Sequence, residues 1–479
     1  RRPMKPSARA HHETRPEDRV PWLERVGFGL GAMGADGVIG TMHGLLNPVF
    51  NMVLGMNPAL ISTLLFIQRL WDAVTDPLVG QYSDNFRSRW GRRRPLMAAG
   101  APFMALLFAL LWWVPRDAPD AWMFAHLVVV SLVFYVAHAF LNMPLVGLRI
   151  EATPDYHERT RLAAVIMVFG FVFQIVNQWV FPLTQLSFFG DTITGLRWVT
   201  GACAVFFLFA GLAPVFFCKE RAYATVAGRQ PRISMREAFR NVRENPPLLR
   251  IVTARFIGSF SYNLVGMLGL YMNTYYVFGG DIRRAAWVYG VLGSAYMVSA
   301  ILGTALLYPF LARRLGKKRT LQIAAGVLMA GCLAKLVIYQ PGHPWSQLIV
   351  LAANGASNAG IGLMSASMIA DIADYNEWRT GRRNEAFLAS IMNWCDKAGN
   401  SLGSLLCGFI LVWIGFDAKL GAQSPLTLEL MKYSYFLMPF VGAAIVLVLL
   451  RRYDLDEDKV YQIRDELEKR HAASASAAT

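Results

Sequence analysis

The sequence is poor in charge. Of its 479 residues only 16% are Asp, Glu, Lys or Arg, against about 25% in an ordinary soluble domain. It also lacks the polar linkers that would divide a soluble chain of this length into about three domains. Cysteine is scarce: Cys203, Cys218, Cys332, Cys395 and Cys407 lie within or at the ends of apolar stretches, with no CxxC spacing. That pattern excludes a disulfide framework and a cysteine metal site, and leaves small buried thiols. GxSxG, HExxH and the Gly-rich phosphate loop are all missing, so neither an enzyme nor an ATP-driven machine is expected. Residues 1–21 are polar and basic, and the first apolar stretch is too long for a cleavable signal peptide, so none is expected.

What the sequence has in quantity is hydrophobic residues, 55% of the chain. Twelve apolar segments follow one another at about 24–50, 58–83, 95–114, 121–149, 161–186, 196–218, 248–278, 285–312, 320–340, 345–370, 386–415 and 426–450, each close to the about 20 residues that span a bilayer as a helix. The reading is an all-α polytopic membrane protein. The net charge of +15 suggests nucleic acid at first sight, but the charges sit in short loops. Arg87, Arg89, Arg92, Arg93 and Arg94 follow segment two, and Arg313, Arg314, Lys317, Lys318 and Arg319 follow segment eight. The alternate loops hold only Arg116, Arg197, Arg283, Arg284 and Lys419. By the positive-inside rule both termini and the basic loop 219–246 are cytoplasmic. No nucleic-acid partner is expected, only the bilayer, in a multi-pass inner-membrane protein that nothing requires to be more than a monomer.

The expected organisation is a tail 1–23, a six-helix bundle 24–218, a central loop 219–246, a second six-helix bundle 247–451 and a tail 452–479. The halves echo each other. Gly91-Arg92-Arg93-Arg94 corresponds to Gly316-Lys317-Lys318-Arg319, and Asp155-Tyr156-His157-Glu158 to Asp374-Tyr375-Asn376-Glu377. Two related halves suit a transporter that rocks around a central site.

Ionisable residues inside apolar segments are costly and mark function. Segment two reads Arg69-Leu70-Trp71-Asp72-Ala73-Val74-Thr75-Asp76-Pro77. Asp72 and Asp76 are four apart, so both carboxylates leave one helix face, and their repulsion is relieved by a bound Na⁺ or proton. Thr75 adds a hydroxyl oxygen. The alternative is that the pair only holds helices together through Arg69 or Lys397. Asp36 sits between Gly34 and Gly37 in segment one, and Lys397 lies in segment eleven; each is either a solute ligand or one half of a structural contact. Gln174, Asn177 and Gln178 form a polar face on segment five, lining a hydrated cavity or bonding to a neighbouring helix. The loop carboxylates Glu151, Asp155, Glu158, Asp371, Asp374 and Glu377 are expected to pair with Arg92, Arg93 and their neighbours as a gate on the cytoplasmic face.

These motifs carry a resemblance. Arg69-Leu-Trp-Asp72-Ala-Val-Thr-Asp76-Pro77, Gly80, Ser88-Arg89-Trp90-Gly91 and Pro95 resemble the glycoside–pentoside–hexuronide:cation symporter family, a branch of the major facilitator superfamily. Gly34-Ala35-Asp36, Asp155-Tyr-His-Glu-Arg159-Thr-Arg161-Leu162, Ala370-Asp371-Ile-Ala-Asp374-Tyr375 and Lys397 support it. The resemblance covers residues 30 to 410 and implies twelve helices in two pseudo-symmetric bundles, with cation-coupled symport of a sugar or glycoside, Na⁺ favoured over H⁺. It implies that Asp72, Asp76 and Thr75 hold the cation, with Lys397 and Arg69 beside them and Asp36 accepting from a sugar hydroxyl. The chain departs from the melibiose-transporting type in three places. Asn142, counted here with the cation site, replaces a carboxylate; Val146 replaces an aromatic platform; Met167 replaces a sugar-binding arginine. Melibiose is therefore not the expected solute. A vertebrate branch with the same segment-two signature moves lysophospholipids with Na⁺, which makes an amphiphile the second expectation; proton-coupled symport of another organic solute is the third. The basic loop also resembles that of plant sucrose:proton symporters, a motif that is widespread in the superfamily.

Overall fold

The computed structural model describes residues 16–220, 245–266, 268–381 and 385–478; the expected central loop lies almost wholly outside them. The first half comprises α1 (Trp22–Leu46), α2 (Pro58–Asn85), α3 (Arg94–Leu110), α4 (Asp120–Glu151), α5 (Tyr156–Asn177) and α6 (Thr192–Phe217). The second comprises α7 (Pro246–Gly266), α8 (Ile282–Leu302), α9 (Tyr308–Ile338), α10 (Gln347–Thr380), α11 (Glu385–Trp413) and α12 (Pro425–Arg451). The described residues contain no strand.

Local chemistry starts these helices where the chain needs them. Asn57 accepts from the Ala59 N–H ahead of Pro58, Asp155 from Glu158, Asp191 from Thr194, Asp281 from Arg284 and Ser424 from Thr427, each satisfying a donor that the first helical turn leaves open. Among the described residues seven helical runs are long and apolar enough to cross a membrane on length and composition alone. One of them, Ile282–Ile338, holds the eighth and ninth expected segments. The chain turns between those segments at Gly316, whose φ of 76° and ψ of 162° are strained for any residue with a Cβ.

The packing repeats with an offset of six helices. Helix α1 packs on α5 and α6 as α7 packs on α11 and α12; α2 on α4 as α8 on α10; α3 on α4 and α6 as α9 on α10 and α12. The faint repeat in the sequence is thus a repeat of architecture. Small residues permit the closest approaches, as membrane helices require when apolar burial alone does not drive association. At Gly403 of α11 a Cβ would come 2.5 Å from the Phe260 carbonyl oxygen of α7. Gly403→Ala should therefore lower stability by about 1–3 kcal/mol, read as a lower unfolding temperature in detergent. Gly421→Ala, with nothing within 4 Å of the added carbon, should leave that temperature unchanged.

The halves meet along α2 and α11, and more lightly along α5 and α8. At the end away from the basic loops the junction is tight: Tyr271 donates from its hydroxyl to Asn51 Oδ1 at 2.7 Å, and Met52 packs into the cluster around Leu264, Tyr271 and Phe416. Beyond α12, the stretch read from sequence as a tail forms α13 (Glu457–Ala478). Its Val460, Ile463 and Leu467 are buried in the core of the second half.

Candidate functional site

Helix α2 carries the two central carboxylates to the face that meets α11. Lys397 Nζ of α11 stands 3.3 Å from Asp72 Oδ2 and 3.8 Å from Asp76 Oδ2. Asp72 is buried, and Asp76 Oδ1 is buried with no hydrogen-bond partner. Two carboxylates against one ammonium leave a charge of −1 and an unused oxygen. Among the described residues these are the ion pairs that join the two halves; every other one lies within a half. Thr75 is buried beside them, its hydroxyl donating to the Trp71 carbonyl at 3.1 Å, so its lone pairs remain available to a cation. No hydrogen bond links half-buried Asn142 to the pair, and Arg69 makes no ion pair with either carboxylate. Arg69 instead lines the first-half cavity lobe described next, within electrostatic reach of His43 and Tyr135.

Beside this cluster lies a central cavity of two adjoining lobes. The first-half lobe, about 440 Å³, is lined by Thr41, His43, Arg69, Gln174, Asn177 and Gln178 among others. Thr41 donates to Asn177 Oδ1 at 2.7 Å. The polar face of segment five thus does both things open to it: it lines the cavity and bonds to a neighbouring helix. The second-half lobe, about 480 Å³, shares Gln178, Tyr262, Asn263, Tyr289 and Asn400 with the first. Both volumes fall in the range of small-molecule sites. Asp36 is exposed, within electrostatic reach of Arg149 and His138, and lines neither lobe.

The loop charges are paired at the basic end. Glu151 accepts from both Arg92 and Arg93 at 2.7 Å, and Arg93 also reaches Asp84 at 3.1 Å. Lys317 meets Asp371 at 2.7 Å, which is the same contact in the second half. Glu158 is buried and binds Arg25 at 2.6 Å and the Val20 N–H at 3.0 Å, whereas Asp155 caps α5. Arg25 and Asp84 were not singled out from the sequence, nor were the partners that follow. Glu220 accepts the backbone N–H groups of Arg92, Arg93 and Arg94 at 2.8, 2.6 and 3.0 Å, a carboxylate where the N-terminus of α3 favours one. Arg464 of α13 bridges Asp374 at 2.8 Å and Asp371 at 3.1 Å, and the Asp374 hydrogen bond above all pushes the guanidinium pKa up. Glu466 of the same helix accepts from the Trp378 indole at 2.5 Å. Arg464→Gln should cost about 1–2 kcal/mol, the range of hydrogen bonds to charged groups after allowance for partial exposure. A lower unfolding temperature for the full chain, partly restored in Arg464→Lys, would be the signature.

Among the described residues no group of three or more His, Cys, Asp or Glu side chains is gathered as a metal site. Four of the five cysteines are buried, and none of the five is in a disulfide.

Paired six-helix halves around a central cavity, tied across their junction by one ion cluster, belong to a polytopic transporter of the major facilitator type and not to an enzyme, as the family that the chain matches shows. The chain belongs to the MFS/sugar transport protein family, whose profile matches residues 27–457. It is 27% identical over 468 residues to the uncharacterized symporter YnaJ of Bacillus subtilis (strain 168), covering 94% of this chain and 96% of that protein. It is 24% identical over 463 residues to the isoprimeverose transporter of Lactiplantibacillus pentosus, covering 95% and 93%. Its fold is similar to that of a bacterial homolog of the human lysosomal transporter Spinster, with a TM-score of 0.63, 14% identity, and 93% and 96% of the two chains covered.

Proposed function

We propose that the protein is a cation-coupled symporter of a sugar or glycoside, with Na⁺ as the coupling ion, in a cytoplasmic membrane with both termini inside. The observation that carries this reading is the ammonium of Lys397 shared by Asp72 and Asp76 across the junction of the halves. Without a cation the lysine partly neutralises the carboxylates and ties α11 to α2. A Na⁺ entering among the carboxylate oxygens and Thr75 supplies the missing charge and frees the ammonium. The cross-half tie is then broken, and Lys397 can turn to a solute hydroxyl or acid group near the cavity. Solute and cation each tighten the other, as linkage requires. Hard oxygen donors favour Na⁺; a proton on Asp76 would serve the same electrostatic end. The family to which the chain belongs, and the isoprimeverose transport of one relative, support a sugar or glycoside as cargo.

In the state described, the halves are closed on each other at the end away from the basic loops, and the charge pairs at the basic end stay within each half. We assign this to an inward-open form. Arg92, Arg93, Asp155, Glu158, Asp371 and Asp374 then form the gate that rearranges when the cytoplasmic side shuts. One positive charge entering at 100 mV contributes about 2.3 kcal/mol, a concentration ratio of about fifty.

The test is uptake by proteoliposomes holding the purified chain, with glycosides and lysophospholipids offered under an inward Na⁺ gradient at equal pH and, separately, under a pH gradient without Na⁺. Accumulation of a glycoside driven by Na⁺ alone is the expected result. Accumulation driven only by the pH gradient would replace Na⁺ with H⁺, and transport confined to lysophospholipids would replace the sugar.

A further inference from the structure

The second-half lobe holds an ion pair that the scheme above does not use. On α7, Arg255, Ser259 and Asn263 follow one another four residues apart, so they share one helix face. Asp396 and Asn400 stand opposite them on α11. Asp396 accepts from the Ser259 hydroxyl at 2.6 Å, and Asn263 donates to Asn400 Oδ1 at 2.5 Å. All five residues line the lobe. Arg255 and Asp396 are ionisable residues inside apolar helices, a placement that marks function.

Arginine commonly grips a carboxylate as a fork, two nitrogens on two oxygens. Here both oxygens converge on Nε alone, Oδ1 at 2.7 Å and Oδ2 at 2.9 Å. Among the described residues nothing hydrogen-bonds Nη1 or Nη2. Gly362 of α10 faces Nη1 without a side chain; a Cβ there would stand 3.5 Å from it. The Arg255 and Asp396 side chains stay 28% and 23% exposed. A pair built only to hold α7 to α11 would close the fork; this one leaves it open.

The open side offers charge-assisted donors next to a carboxylate with lone pairs to spare. The pair is neutral as a whole, so it calls for no ion. A hydroxyl both donates and accepts, and two neighbouring hydroxyls can engage Nη and Asp396 Oδ2 together. Among the described residues Asp396 is the one carboxylate that lines either lobe. The other cation of this lobe, Lys335, lies 4.2 Å from the centroid of the Tyr435 ring and forms no ion pair with Asp396.

We propose that Arg255 and Asp396 are specificity-determining residues of the second-half lobe. Together they read two neighbouring hydroxyls of the solute, one accepting from Nη of Arg255 and the other donating to Asp396 Oδ2. This rests on the sugar-symport reading and adds the residues that choose among hydroxyl arrangements. Asp396 and Lys397 are consecutive on α11, the first turned to α7 and the second to α2. The carboxylate that reads the solute and the ammonium that competes with the cation thus share one helical turn.

The experiment is calorimetric titration of the full chain in detergent and Na⁺ with methyl glycosides of gluco, galacto, manno and xylo configuration, and with the monodeoxy forms of those that bind. In wild type, removing either of two adjacent hydroxyls should weaken binding about tenfold or more. Arg255→Gln combined with Asp396→Asn discards both charges and keeps polar side chains of similar size. It should weaken the parent glycoside to the level of those two deoxy forms, and bind the deoxy forms themselves within twofold of wild type. Its Na⁺ affinity without solute, read by thermal unfolding, should also stay within twofold. Arg255→Lys keeps the ion pair without the fork, and should lose discrimination only at the hydroxyl that accepts from Nη. Wild-type affinities indifferent to every deoxygenation overturn the inference with no variant needed, and leave sugar symport standing. Discrimination that survives undiminished in the variants does the same. A changed Na⁺ affinity with a uniform loss across all glycosides would make the pair a tie that holds α11 in place, and overturns the inference too. Binding of no glycoside of any kind would overturn the sugar reading, and this inference with it.

Discussion

Asp76→Asn should reduce gradient-driven accumulation from about fifty-fold to none, while the protein still inserts, folds and equilibrates its solute. The amide matches the carboxyl in size, so the packing of α2 survives. What it removes is the charge that makes the site need a cation. With Asp76 neutral, Asp72 and Lys397 balance each other, and the buried Oδ1 that lacks a partner no longer belongs to an anion. Solute affinity in the variant should be the same in Na⁺ and in choline. Counterflow between equal solute concentrations separates this outcome from a dead protein, since exchange needs no coupling. Normal Na⁺-driven uptake would show that the coupling ion binds elsewhere.

Lys397→Ala should act in the opposite direction on the cation. The buried Asp72 and half-buried Asp76 lose the ammonium they share, so a competing positive charge disappears and the site gains a full unit of negative charge. The Na⁺ affinity should rise at least tenfold, about 1.4 kcal/mol, a modest share of the Coulomb energy of two charges 4 Å apart near a protein surface. Turnover should fall, because the cation no longer trades places with a tie between the halves. Na⁺ titration followed by thermal unfolding reads the first effect and initial uptake rates the second. An unchanged Na⁺ affinity would mean that the lysine holds α11 to α2 without competing for the carboxylates.

How much of this was legible in the sequence depended on whether the signal was local. The spacing of Asp72 and Asp76 is local, and both carboxylates do leave one helix face toward a single ammonium. The resemblance of the basic loops was also visible as a repeat, and became the Arg92–Glu151 and Lys317–Asp371 contacts. Asn142 and Asp36 carried less: standing where the resembling family has a carboxylate, or beside glycines, does not determine what a side chain reaches. Lys335 and Arg255 satisfied the same rule that drew attention to Asp72, an ionisable residue within an apolar segment, and their types alone could have marked them. Arg464 was different. A helix that is polar in composition, with Val460, Ile463 and Leu467 on one face, looks like a tail until a docking surface exists for it. Glu220 likewise acquires its role only when the N-terminus of α3 is brought to it.

The docking of α13 on the second half has a practical consequence. Through Arg464, Glu466 and its buried apolar residues this helix is fixed to one half, while Asp84 near the end of α2 belongs to the other. A donor dye on Glu468 and an acceptor on Asp84 would therefore form an optical ruler across the basic end. Energy transfer between them, recorded on single molecules, would follow each opening and closing as ions are exchanged.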